Sequence, residues 1–182
     1  MNMRLNIIYD ARRVEKYEPL IKELEGQGIT DFEIFPCLMF PEVVHSINAS
    51  HKMIVQDAKD KGLPEVFIAE DDLMFTAPGA WKYFLEKKPA PENYDLYLAS
   101  TYIIEEPLKN ICGFHLYSVS EKFYDPFLSV PDDQHIDTVF NDVKGDYHFC
   151  YPFPALQRPG FSANNMMVVN YNSMIDEKHL FK

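Results

Sequence analysis

The stretch Val66-Phe67-Ile68-Ala69-Glu70-Asp71-Asp72 decides the fold prediction, because a run of apolar residues there meets three consecutive carboxylates. A short apolar run of this kind is typical of a buried strand. In open α/β sheets, ligands bind beyond the carboxyl ends of the strands. The acidic triplet therefore occupies the place where an α/β fold would carry its functional site.

Strands and helices alternate on both sides of this stretch. We predict strands at Leu5 to Tyr9, Phe32 to Pro36, Glu65 to Ala69, Tyr94 to Ala99 and Phe114 to Val119. Helices are expected before Gly26, over Val43 to Lys61, from Pro78, from Ser120, and for a turn or two within Asp132 to Asn141. The alternation predicts an α/β layered fold with its early strands parallel, built as a single domain over 1–182 in which 151–182 is mostly irregular.

Composition limits the classes of function. The 182 residues include 17 Lys and Arg against 28 Asp and Glu, a formal net charge of −11, which disfavours nucleic acid as a partner. A phosphate-bearing substrate would need local compensation of its negative charge by a metal ion or a few arginines.

Three widely spaced cysteines without a CxxC pair indicate reduced thiols. The first apolar run is too short for a signal peptide or a span, so we expect a soluble cytoplasmic chain; peripheral docking at the inner face of the membrane is compatible with this.

The acidic triplet is the strongest candidate for chemistry. Adjacent carboxylates repel one another, and placing them at the end of a buried strand is unfavourable unless a cation offsets the charge. Strand alternation would direct Glu70 and Asp72 to one side and Asp71 to the other. A pair of oxygen ligands that leaves other positions to water and phosphate suits Mg²⁺ or Mn²⁺. The alternative is a solvated acidic turn near the helix at Pro78.

Two further polar groups lie near predicted strand ends. Ser50-His51 falls on the helix before the acidic strand, and this histidine is either a ligand or a structural hydrogen-bonding group. Asp10, Arg12 and Arg13 follow the first strand, where two arginines could clamp a phosphate or form ordinary surface pairs with carboxylates.

The second half of the chain offers a candidate base and a candidate binding loop. His135 or Asp137 could act as a general base, whereas Asp132 or Asp133 could be helix caps. The polar segment Gln157 to Asn165 lacks apolar periodicity, as binding loops often do. No GxGxxG, P-loop, GxSxG or zinc-spaced Cys/His motif is present in the sequence, so dinucleotide, Walker-type, serine-hydrolase and zinc functions lack support.

Taken in order, these segments resemble the family 25 glycosyltransferases, which include lipooligosaccharide and procollagen galactosyltransferases. The matching segments are Asn6 to Asp10 with Arg12-Arg13, Ser50-His51, Val66 to Asp72, Tyr94 to Leu98, Gly113 to Tyr117 with Ser118 and Ser120, Ile136 to Thr138, and Tyr151-Pro152 with Gln157 and Ser162. The chain differs from the family pattern in two places. Lys16 stands near the family's second arginine, and Ser162-Ala163-Asn164 replaces the usual Ser-Asp-Ile.

The resemblance implies a GT-A-like α/β/α sandwich with a mostly parallel central sheet, and a DxD-like acidic motif. It implies Mn²⁺ or Mg²⁺ held by Glu70 and Asp72, with Asp137 as the catalytic base or, alternatively, a contact to a donor-sugar hydroxyl. The donor-binding residues that it implies are Asp10, Arg12, Arg13, Ser50, His51, Glu70, Asp71, Gln157 and Ser162.

The function expected from this resemblance is metal-dependent, inverting transfer of a hexose. The donor would be a UDP-sugar carrying galactose or glucose, and the acceptor a glycan such as lipooligosaccharide, which places the reaction in lipopolysaccharide biosynthesis. Two alternatives stay open: a degenerate homologue that binds a nucleotide sugar without turnover, and another metal-dependent nucleotide enzyme such as a nucleotidyltransferase.

Overall fold

The computed structural model describes residues 3–105 and 107–182. Within these ranges the strands are β1 (Leu5–Tyr9), β2 (Phe32–Pro36), β3 (Glu65–Glu70), β4 (Leu73–Phe75), β5 (Leu96–Leu98), β6 (Leu116–Ser120), β7 (Tyr147–Phe149), β8 (Ala155–Gln157), β9 (Gly160–Ser162) and β10 (Met167–Val169). The helices are α1 (Tyr17–Gly26), α2 (Val43–Asp60), α3 (Ala80–Lys87), α4 (Tyr124–Leu128) and α5 (Ile136–Val139). A 3-10 turn at Val14–Lys16 leads into α1.

The central sheet has the strand order β2-β1-β3-β6-β5-β7. β1 pairs in parallel with both β2 and β3, and β5 pairs in parallel with β7. β6 runs antiparallel to its neighbours β3 and β5. The predicted α/β fold with a mostly parallel sheet and parallel early strands is confirmed.

Both faces of the sheet are covered, because its central strands are apolar on both sides. Ile7 and Phe67 belong to a core with residues of α1 and α3, whereas their chain neighbours Ile8 and Ile68 belong to a second core with residues of α2 and α4. All four side chains are at most 8% exposed. This is the α/β/α layering that the period-2 geometry of a strand produces when apolar side chains occupy both of its faces.

Two local predictions are corrected. We expected the third helix to begin at Pro78, but α3 begins at Ala80, since Gly79 adopts a left-handed conformation with φ 82° at its N-cap. Strand alternation was expected to continue through the acidic triplet. It does not, because β3 ends at Glu70 and the next two residues form a turn before β4.

The C-terminal segment returns to the sheet end where the acidic triplet lies. β8 pairs antiparallel with β4, which sets Gln157 opposite Leu73, directly after Asp72. β9 and β10 form a hairpin beyond it. The three cysteines are free thiols, as expected. Among the described residues, none of the helices combines the length and apolarity that a membrane crossing requires.

Candidate functional site

A cavity of about 640 Å³ opens at the carboxyl ends of β1 and β3. Because these two strands are parallel neighbours, the residues that follow them meet at one edge of the sheet. The predicted metal- and donor-binding residues all line this cavity: Asp10, Arg12, Arg13, Ser50, His51, Glu70, Asp71, Asp72, Gln157 and Ser162. The structure therefore brings together side chains that are up to 152 positions apart in the sequence, from Asp10 to Ser162.

The two aspartates of the acidic triplet are buried, although they form a turn, and Glu70 at the end of β3 is half-buried. Asp71 and Asp72 are only 8% and 7% exposed. Glu70, Asp71 and Asp72 all face the cavity. The alternative interpretation of a solvated acidic turn is therefore wrong. Three clustered carboxylates in a partly desolvated place need compensating donors or cations.

Asp71 has both carboxylate oxygens engaged by the protein. Its Oδ1 accepts from Lys16 Nζ at 2.7 Å, and its Oδ2 accepts from the backbone N–H of Asp10 at 3.1 Å. Burial raises the pKa of Asp71 even though Lys16 opposes that rise. Asp71 thus joins the ends of β1 and β3.

Asp72 keeps one oxygen unpaired. Its Oδ2 accepts from Lys16 Nζ at 2.9 Å and from Gln157 Nε2 at 3.0 Å. Its Oδ1 is buried and has no hydrogen-bond partner within the described part of the chain. An unpaired buried carboxylate oxygen is unfavourable in a folded protein unless a ligand completes it.

Glu70 is engaged on one oxygen in the same way. Its Oε1 lies 3.1 Å from His51 Nε2, and the hydrogen bonds within the described residues leave its Oε2 unpaired. Burial raises the pKa of Glu70, with the hydrogen bond from His51 acting in the opposite direction.

The carboxylates that line the cavity carry oxygen ligands of the kind that a hard divalent cation prefers. Across residues 3–105 and 107–182, no group of three or more His, Cys, Asp and Glu side chains is arranged to hold a metal alone. Glu70 and Asp72, the expected ligands, each offer one unpaired carboxylate oxygen. Two such oxygens leave coordination positions for water and phosphate, as Mg²⁺ and Mn²⁺ sites in phosphate-handling proteins do.

His51 links the cavity to the core. It is 1% exposed, and its Nδ1 lies 2.7 Å from the hydroxyl of buried Tyr117 while its Nε2 contacts Glu70. Both ring nitrogens thus have protein partners, as the structural interpretation of this histidine requires, and the ring orients a carboxylate of the cavity.

The remaining predicted donor-binding residues have protein partners too. Ser50 Oγ donates to the Ser46 carbonyl at 2.7 Å and accepts from the Leu38 N–H, which fixes the loop before α2. Arg12 forms a two-bond pair with the Asp10 carboxylate, at 2.9 and 2.6 Å. This pair lowers the pKa of Asp10, chiefly through the hydrogen bonds from Arg12.

A loop crosses the mouth of the cavity. Arg13 donates to the carbonyl of Phe161 in β9, tying the β1 end to the β9–β10 hairpin. Ser162, from the same hairpin, accepts from the Asn165 N–H at 3.3 Å. The lining of the cavity also includes the apolar residues Met39 and Phe40, from the loop before α2.

A second, smaller cavity of about 190 Å³ adjoins the first, and Asp137 lines it rather than the larger one. His51 and Glu70 line both cavities. Asp137 Oδ2 accepts from the Gly113 N–H at 3.1 Å. His135 lines the second cavity and is the N-cap residue of α5, so the alternative that Asp132 or Asp133 caps this helix is wrong. Asp132 instead pairs with Lys52 at 2.6 Å.

Two residues that organise the site, Asn48 and Lys16, have no role that the sequence predicts. Asn48 is fully buried and forms hydrogen bonds with the segment 131–136. Its Nδ2 donates to three backbone carbonyls, and its Oδ1 accepts from the Ile136 N–H at 3.2 Å. Lys16 reaches carboxylates 55 and 56 positions away. Such contacts carry no local signal in the sequence, because they exist only once β1, β3 and α2 are assembled.

No protein-family model matches the chain, and no curated protein matches it. Among solved structures, A197 from STIV is similar, with a TM-score of 0.51 and 14% identity over 93% of each chain. A mannosyltransferase from Pyrobaculum calidifontis in complex with GDP-Man and Mn²⁺ matches with a TM-score of 0.51 and 8% identity. The match covers 80% of this chain and 53% of the mannosyltransferase. Galactosyltransferase LgtC in complex with donor and acceptor sugar analogs gives a TM-score of 0.49 and 9% identity, over 81% of this chain and 73% of LgtC.

The solved structures with a TM-score above 0.5 to this chain thus include a mannosyltransferase in complex with GDP-Man and Mn²⁺. At these identities the likeness concerns the fold alone. Together with the sheet order and the cavity beyond the ends of β1 and β3, it establishes that the chain has a GT-A-like fold.

Proposed function

We propose that this chain is a metal-dependent glycosyltransferase that moves a hexose from a nucleotide-sugar donor to a glycan acceptor. The observation that carries the proposal is the buried acidic motif at the end of β3, where Asp72 Oδ1 stands unpaired beside a cavity of about 640 Å³. The motif resemblance to family 25 glycosyltransferases supports the same assignment, as does the shared fold.

The cavity offers two different surfaces to a nucleotide sugar. The carboxylate floor suits a cation that binds a diphosphate, and the apolar wall of Met39 and Phe40 suits a nucleobase. A bound divalent cation would supply positive charge to the departing diphosphate oxygens. Glu70 and Asp72 would hold it through the oxygens that His51, Lys16 and Gln157 leave unpaired.

The second cavity is the place for the acceptor. Because His51 and Glu70 line both cavities, a hydroxyl entering from the smaller one would approach a sugar held in the larger one from a separate side. Single inverting displacement needs this separation of nucleophile and leaving group. Asp137 lines the acceptor side and is the proposed base that takes the hydroxyl proton.

The finer parts of the proposal follow the family resemblance. They are a UDP-linked galactose or glucose as donor, a lipooligosaccharide-type acceptor, and a cytoplasmic chain that acts at the inner face of the membrane. The nucleotidyltransferase alternative is less well supported, because Arg12 is paired with Asp10 and Arg13 with the Phe161 carbonyl rather than both pointing into an open phosphate loop.

A donor panel tests the proposal. UDP and GDP are titrated calorimetrically with and without Mn²⁺, and UDP- and GDP-hexoses are then screened for Mn²⁺-dependent release of nucleoside diphosphate. We expect one nucleoside diphosphate to bind only with Mn²⁺ and one sugar nucleotide to be turned over. Binding without turnover would support the degenerate homologue, and no Mn²⁺-dependent binding of either nucleotide would refute the proposal.

Asp137→Asn separates the proposed base from the donor site. This variant should keep Mn²⁺-dependent nucleotide binding and lose sugar transfer, since Asp137 lies in the second cavity. Unchanged transfer by Asp137→Asn would remove Asp137 from the role of base and leave the donor site standing.

A further inference from the structure

Lys16 lies between two carboxylates of the acidic motif. Its Nζ is 2.7 Å from Asp71 Oδ1 and 2.9 Å from Asp72 Oδ2. The Lys16 side chain is 11% exposed, and the side chains of both aspartates are at most 10% exposed. This is a nearly buried three-membered ion cluster, in which the charges interact far more strongly than a surface pair would.

The backbone fixes this arrangement before any ligand is present. Lys16 ends the 3-10 turn that follows β1, and Asp71 and Asp72 follow the neighbouring parallel strand β3. Lys16 is not among the residues that line the larger cavity, whereas both aspartates are. Its ammonium therefore binds the carboxylates without occupying the space that a substrate would fill.

The cluster changes what the acidic motif presents to a cation. Lys16 cancels one of the three negative charges of Glu70, Asp71 and Asp72. It also engages Asp72 on Oδ2 together with Gln157, and so fixes which oxygen is left unpaired. The remaining charge attracts a divalent cation less strongly than three uncompensated carboxylates would.

We propose that Lys16 is a resident countercharge that makes divalent-cation binding at this motif weak until an anionic diphosphate arrives with the cation. This inference rests on the proposed function, because it assigns the cation and the diphosphate to the same cavity. Lys16 acts as a positioning residue: it touches the aspartates, and through them sets the affinity of the site. The positive charge of Lys16 stabilises the buried aspartates when no metal is bound, and the cation is taken up together with the donor.

The test compares Mn²⁺ binding to wild type and Lys16→Met, measured by the loss of the free Mn²⁺ signal in electron paramagnetic resonance. Lys16→Met keeps the length of the side chain and removes its charge. We expect it to bind Mn²⁺ alone about tenfold more tightly than wild type, which lies within the range of coupling between two linked binding events. Lys16→Arg, which retains the charge, should bind Mn²⁺ as wild type does.

Lys88→Met is the matched control. Lys88 forms an equally buried ion pair with Glu65, at 2.7 Å and 8% and 11% exposed, and neither residue lines the larger cavity. Its loss should lower the thermal stability and leave the Mn²⁺ affinity unchanged.

Thermal unfolding gives a second readout. Lys16→Met should unfold at a lower temperature than wild type without metal, and added Mn²⁺ should raise its unfolding temperature more than that of wild type, since ligand stabilisation grows with affinity. A purely structural role would lower the unfolding temperature equally with and without Mn²⁺. If Lys16→Met fails to fold, Lys16→Gln removes the charge while keeping a donor and carries the same expectations.

The outcomes separate the two proposals. The countercharge role is overturned if the uncharged variant binds Mn²⁺ no more tightly than wild type does. This holds even if wild type binds Mn²⁺ together with UDP or GDP. If wild type and Lys16→Met both fail to bind Mn²⁺ with or without either nucleotide, the proposed function itself fails.

Discussion

Asp72→Asn is the substitution that tests the acidic site most directly. The amide has the shape of the carboxylate, so its oxygen can take the place of Oδ2 and accept from Lys16 and Gln157. Its NH₂ group then occupies the position of the unpaired Oδ1. The change therefore replaces the one oxygen we assign to a cation by a donor that cannot ligate it.

The expected loss of metal affinity follows from the ligand count. Glu70 and Asp72 offer one unpaired oxygen each, so the substitution removes half of the protein's proposed ligands. Loss of residues that only support a ligand typically costs 10–100-fold in metal affinity, and a direct ligand should cost about 100-fold or more. That corresponds to at least about 2.7 kcal/mol of binding free energy.

The fold should survive the same change. The hydrogen bond from Gln157 becomes a neutral one, and the bond from Lys16 keeps its charged donor but loses the negative charge of its acceptor. Each bond is weakened by about 1 kcal/mol, while the repulsion from Glu70 and Asp71 is relieved. We expect the free energy of unfolding to change by less than about 1.5 kcal/mol, or roughly 5 °C in unfolding temperature for a chain of this size. Loss of Mn²⁺ binding would then not reflect unfolding.

The assay is Mn²⁺ titration in the presence of UDP or GDP, with circular dichroism to check the fold. Asp133→Asn is the control. This substitution removes the same charge, but Asp133 is exposed and lines neither cavity. A folded Asp72→Asn protein that binds Mn²⁺ and nucleotide within a few-fold of wild type would refute the assignment of Asp72 as a ligand.

Two further predictions concern the frame of the site. Asn48→Ala removes the hydrogen bonds to the segment 131–136 and leaves buried backbone groups unpaired. Urea denaturation should show that the free energy of unfolding falls by about 2–4 kcal/mol, against less than about 0.5 kcal/mol for Asn93→Ala at an exposed position. Equal effects of the two substitutions would contradict the role of Asn48. Burial lowers the pKa of His115 below its ordinary value of 6.5, so below that pH the unfolded chain binds more protons than the folded one. The free energy of unfolding should therefore be greatest above pH 6.5 and fall by up to about 1.4 kcal/mol per pH unit below it. His115→Gln should flatten this slope, whereas His148→Gln should not, because the His148 side chain is 42% exposed. The same slope in wild type and both variants would rule out His115 as its source.

The layered fold could be predicted because its signal is local. Alternation of apolar runs with helical periodicity places β1, β2 and β3 and the helices between them, and parallel pairing follows from the crossover helices. The boundary at α3 and the short strand β4 escaped prediction. A left-handed Gly79 and a three-residue pairing with β8 depend on contacts between distant segments.

The sequence by itself determined which residues could form a site, since carboxylates directly after a buried strand stand at the sheet end where ligands bind. Only the tertiary structure decided how each of them is used. Asp71 is saturated by Lys16 and the Asp10 N–H, Asp72 retains an unpaired oxygen, and Asp137 lies in a separate cavity. These differences arise from hydrogen bonds across 24 to 85 positions of the chain, which geometry sets and residue type alone does not.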